Sequence, residues 1–67
     1  MKVINFMDLG DGTHFRIKQS DDSYIEYIKI PEERISCCKV FNAVLAADHG
    51  QKHQIMPLTQ IETEYND

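Results

Sequence analysis

The adjacent pair Cys37 and Cys38, with His14, His49 and His53, are the side chains here best suited to bind a metal or attack a substrate. A structural zinc site takes four nitrogen or sulfur ligands, usually delivered at spacings such as Cys-x-x-Cys or His-Glu-x-x-His. Neither spacing occurs. His49 and His53 are four residues apart, which aligns side chains on a helix but not across the turn and strand expected there. A cysteine beside a histidine is a nucleophile only as thiolate, and a thiol inside a strand core is hidden and harder to ionise. Asp21-Asp22 and Glu32-Glu33 pair carboxylates in segments that read as solvated turns. A chain of 67 residues also has little volume to enclose a substrate pocket of ~300 Å³ or more. The residues therefore predict no catalytic site, no metal centre and no cofactor.

The basic side chains offer a binding chemistry instead. Arg16 and Lys18 fall on the polar side of an alternating stretch, and Lys29 is expected on the solvent side of the next one. Their heads would converge on an anionic ligand, with Arg34 and Lys39 nearby and Tyr24 or Tyr27 stacking on a base. Asn42, a polar amide within an apolar run, would bond neighbouring backbone, a ligand or a second subunit. Arg16, Lys18, Lys29, Tyr27 and Asn42 are thus the candidate ligand-binding residues, set against the plainer reading of a solvated sheet face. With seven basic and eleven acidic residues, the net charge of −4 opposes non-specific grip on a nucleic-acid backbone.

These side chains need strands to hold them. Residues 37–46 form an almost continuous apolar run, read as a central strand that the turn Asp48-His49-Gly50 closes, with Gly50 free to take positive φ. Both faces of that strand are apolar, so each needs a cover. A chain this short covers both poorly, which predicts a homo-oligomer, with Val40, Phe41, Val44 and Leu45 divided between core and interface. Cys37 and Cys38, as neighbours on a strand, point to opposite faces and are read as reduced thiols, at least one of them buried. Residues 13–18 alternate cleanly, placing Phe15 and Ile17 on the core side. Residues 24–30 form a second strand with a change of phase near Tyr27 and Ile28 that calls for a bulge. Pro31 ends it, and residues 31–35 suit a single helical turn. Leu9 pins the turn-rich loop 8–12 to the core, and 51–56 return as the hairpin partner of the central strand. Pro57 to Gln60 reads as a 3-10 turn before a last strand carrying Ile61, Thr63 and Tyr65. The expectation is one all-β domain over residues 1–67. It is a small SH3-like barrel of five or six short antiparallel strands, with a short 3-10 turn before the last. The longest apolar run falls far below the ~18 residues of a membrane span, and unpaired cysteines suit a reducing compartment.

The segments FMDLGDGTHF at 6–15, YIKI at 27–30 and NAV at 42–44, followed by Gly50 and Ile55, resemble a group of small phage-encoded accessory proteins. That group shares the order F-x-D-L-x-x-G-x-x-F, Y-x-K-I, N-A-V. Cys37-Cys38 and residues 31–36 depart from the pattern. The resemblance implies a small β-barrel acting in the host cytoplasm, and it transfers no catalytic residue. The expected function is non-enzymatic: binding and blocking or sequestering a host defence component, either a host protein or a nucleotide-type signal. The alternatives are a nucleic-acid-binding module of SH3 or OB type and a small virion structural protein.

Overall fold

The computed structural model of this chain describes residues 2–63. It contains six strands: β1 (Lys2–Asn5), β2 (His14–Lys18), β3 (Tyr24–Ser36), β4 (Lys39–Leu45), β5 (Lys52–His53) and β6 (Gln60–Thr63). All pair antiparallel in one sheet of order β1-β6-β2-β3-β4-β5. The all-β expectation holds, but the sheet is open and not a closed barrel. β1 and β5 are its edges, and β5 contributes only two residues to the ladder. The expected extension of the last strand to Tyr65 lies outside the described residues.

Alternation assigns the faces. Phe15 pairs with Tyr27, Tyr27 with Leu45 and Ile4 with Ile61, so these side chains share the core face, while Ile25, opposite Ile17, is exposed at its margin. Phe15 at 2% exposure and Ile61 at 1% are its most deeply buried large side chains. The 3-10 turn of the described residues is Phe6–Asp8, directly after β1. It does not precede the last strand, where Thr59 N–H instead closes a simple turn on the Met56 carbonyl at 3.1 Å. The location follows from burial: a 3-10 turn brings residues three apart to one side, and Phe6 and Leu9 are both buried. They cap the core face of the sheet, joining Phe15, Tyr27, Ala43 and Ile61. Leu9 thus pins its loop as expected. The left-handed glycine is Gly12 (φ 85°) in that same loop, not Gly50.

The β3–β4 ribbon departs most from the sequence reading. β3 does not stop at Pro31 but runs on to Ser36, with no helical turn at 31–35. Pairing is regular through Tyr27 and Ile28, and the register slips between Lys29–Ala43 and Glu33–Phe41. Three residues of β3, Ile30 to Glu32, there face the single Asn42. Pro31 explains the site: it has no N–H for the ladder and is tolerated where a bulge leaves it unpaired. Beyond the bulge the ribbon is largely exposed, and Ser36 pairs with Lys39 across a two-residue turn made of Cys37 and Cys38. Both cysteines are free and exposed, so the expectation that one is buried in a strand is wrong. Residues 37 and 38 turn because the strands on either side pair with each other, which no local property of two cysteines announces. In β4 itself, the consecutive residues Ala43 (0%) and Val44 (6%) are both buried, as a strand covered on both faces requires.

The β2–β3 turn is closed by Asp21, whose carboxylate accepts from the Ser23 hydroxyl and, at 3.1 Å, from the Ser23 N–H. Asp22 takes the left-handed conformation (φ 67°) that aspartate tolerates better than most residues. The Ser23 hydroxyl bond, then its backbone bond, hold the Asp21 carboxyl below its ordinary value. With the folded value lowered, this turn's contribution is present above the ordinary carboxylate range and is lost as pH falls through the lowered value. Carbon-detected NMR titration is expected to show the Asp21 carboxyl below its ordinary value, and Ser23→Ala is expected to return it toward that value. In the core, Ile61→Val is expected to cost about 0.5–1.5 kcal/mol by urea unfolding. Phe15→Ala is expected to cost about 3–5 kcal/mol. Total stability for this length is about 3–10 kcal/mol, so the alanine variant should lose a third or more of it.

Candidate functional site

The residues expected to converge on an anion are divided between the two faces of the sheet. Arg16 lies opposite Glu26 and Lys18 opposite Tyr24 on the outer face, whereas Lys29 follows Tyr27 on the core face. The Lys29 ammonium is half-buried and donates to the backbone carbonyls of Leu9 and Phe6, the latter at 3.3 Å. It also stands 4.7 Å from the centre of the Phe6 ring. Lys29 is therefore a fastener for the 3-10 turn, and the three-cation site does not assemble. Alternation alone placed it wrongly, because a half-buried lysine with two carbonyl acceptors has the same spacing as an exposed one.

Tyr27 is likewise spoken for. It is buried at 8% exposure, stacked on Phe15 at 5.5 Å and edge-on to His53 at 5.4 Å, with Phe6 edge-on to Phe15 at 5.3 Å. This ring series crosses the core and leaves no face for a base. The stacking tyrosine on the surface is Tyr24, and its ring already carries the Arg16 guanidinium at 4.0 Å. Arg16 also pairs with Glu62 at 3.4 Å, Lys18 with Asp22 at 3.3 Å and Lys52 with Glu33 at 2.8 Å. Surface pairs such as those of Lys18 and Lys52 contribute at most about 1 kcal/mol each, but each pair lowers the free positive charge a ligand would meet.

Asn42 takes the backbone role. Its side-chain N–H donates to the Ile55 carbonyl at 2.9 Å, and its oxygen accepts from the Ile55 N–H at 2.8 Å. Both polar ends of the amide are used, and the segment after β5 is tied to β4 at the level of the bulge. Of the residues assigned to a subunit interface, Val44 is already buried within the chain and Leu45 packs against the core cluster. Val40 and Phe41 are half-buried.

A wide, open cleft of about 1000 Å³ runs beside β1, β2 and the loop between them. Its polar lining includes Lys2 and Arg16 but also Asp8, Asp11, Glu26 and Glu62. That excess of carboxylates disfavours an anionic occupant. No group of three or more His, Cys, Asp or Glu among the described residues is placed to hold a metal.

Two surface features were missed by sequence reasoning. The first is apolar. Met7 is 58% exposed, Met56 65% and Leu58 71%, and they sit on adjoining loops that the Met7 N–H to Pro57 carbonyl bond joins at 3.0 Å. Leu58 inside a Pro-Leu-Thr turn was the available signal. The second is the tip of the β3–β4 ribbon, where the Cys37 and Cys38 sulfurs lie 3.1 Å apart and share a hydrogen bond. That bond, then slight burial, pushes the Cys38 thiol up from its ordinary value. No protein-family model matches the chain, and no curated protein or solved structure is significantly similar to it.

Asn42→Ala strands the Ile55 N–H and carbonyl together. The expected loss is about 1–3 kcal/mol in urea unfolding, with faster hydrogen exchange at the Ile55 amide.

Proposed function

We propose that this chain is a non-enzymatic accessory protein of the phage-encoded kind it resembles, acting by binding and blocking a host protein. The single observation that carries a protein partner over an anionic ligand is the pairing of surfaces just described. The apolar side chains Met7, Met56 and Leu58 stand exposed on adjoining loops. The basic side chains Arg16, Lys18, Lys29 and Lys52 are instead engaged within the chain. Exposed methionines suit a binding surface because an unbranched thioether repacks against varied apolar partners. The net charge of −4 and the acidic cleft lining weigh against nucleic acid and against a nucleotide-type signal. Open sheet edges at β1 and β5 add backbone donors and acceptors that a partner strand can pair with.

The test is capture from host-cell lysate with a photo-crosslinking residue at position 58. A defined host protein should crosslink there, and Leu58→Glu should weaken its binding about tenfold or more while the circular dichroism is unchanged. Recovery of a nuclease-sensitive polymer or a bound nucleotide, retained by Leu58→Glu, overturns the reading.

A further inference from the structure

An extended strand sends neighbouring side chains to opposite faces, so adjacent cysteines do not ordinarily act together. Here the β3–β4 pairing converts them into the two residues of a hairpin turn, between the paired residues Ser36 and Lys39. Both thiols are free and exposed, and their sulfurs lie 3.1 Å apart. Neither takes positive φ, so the turn is held by the ribbon without left-handed strain at either residue. The Arg34 guanidinium reaches the Cys37 carbonyl at 3.5 Å from the strand beside it. The result is a pair of soft donors presented side by side to solvent.

We infer that Cys37 and Cys38 form a bidentate site for a three-coordinate thiophilic centre, of which a monosubstituted trivalent arsenical is the type. Zinc asks for four ligands, and no third ligating side chain of the described residues joins the pair. A linear two-coordinate centre needs its sulfurs on opposite sides, whereas these are in contact. A pyramidal centre with roughly right-angle bonds accepts two neighbouring sulfurs and brings its own third substituent. With an arylarsenic(III) oxide the step balances without an oxidant. Two S–H bonds and the bonds to the oxide oxygen break, two As–S bonds form, and the oxygen leaves as water with both thiol protons. Arsenic stays trivalent and both sulfurs stay reduced. The second As–S bond closes within the chain, so the effective concentration of the second thiol carries the affinity.

The probe is phenylarsine oxide with the reduced chain, read by native mass spectrometry. One adduct per chain is expected, stable to excess monothiol and removed by a dithiol. Cys37→Ser and Cys38→Ser, both at an exposed turn, should each bind about a hundredfold more weakly while keeping the wild-type circular dichroism. Adducts that a monothiol strips from the wild type, or single variants that bind as tightly as the wild type, overturn the inference.

Discussion

A single sheet cannot bury its own face, and the half-buried ammonium of Lys29 marks how this chain solves that problem. The loop after β1 must fold across the sheet so that Phe6 and Leu9 cover Phe15, Tyr27 and Ile61. Turning there leaves the carbonyls of Phe6 and Leu9 in a partly dry place, and Lys29 reaches both from β3. Hydrogen bonds to a charged donor contribute about 1.5–3 kcal/mol, a large share of the stability open to a domain this small. The lysine's position beside the Phe6 ring lets one side chain hold the cover by charge and by contact. The same loop is tied again through Gly12, whose N–H donates to the Lys29 carbonyl at 2.6 Å, and through the Lys29 N–H to Thr13 at 3.0 Å.

That arrangement divides the molecule. One end is a packed slab crossed by the series Phe6, Phe15, Tyr27 and His53. The other is a ribbon that leaves the slab at the Ile30–Glu32 bulge and carries two thiols at its tip. Asn42 stands at the junction and binds the Ile55 backbone in both directions. The charged residues follow the same economy. Arg16 is held between Tyr24 and Glu62, and Lys52 spans from β5 to Glu33 on the ribbon. Of the cations that read as a ligand site in one dimension, Lys29 and Arg16 are fasteners in three. Exposed apolar side chains stand at the Met7, Met56 and Leu58 loops, and exposed thiols at the ribbon tip.

Much of the fold was legible in the residues. The alternation of His14 to Lys18 placed Phe15 and Ile17 inward, Leu9 was readable as an anchor, and the apolar run through Ala43 and Val44 announced a strand covered on both sides. Each of these depends on side-chain pattern within one element, which sequence carries directly. The site was far less legible. Lys29 and Tyr27 have the spacing of surface residues and the positions of core ones, because nothing nearby in the chain supplies their partners.

The chain by itself determined an all-β domain, the inward set of β2, the strand character of β4 and a net negative charge. Those follow from periodicity and charge, which are local or summed quantities. Tertiary structure alone decided that the sheet stays open and that the 3-10 turn falls at Phe6–Asp8. It also decided that Pro31 sits in a bulge within β3 and that Cys37 and Cys38 share a turn. Each of those outcomes is set by pairing between residues far apart in the chain. A proline, a lysine or a cysteine takes its role from the backbone groups and rings that such pairing brings beside it.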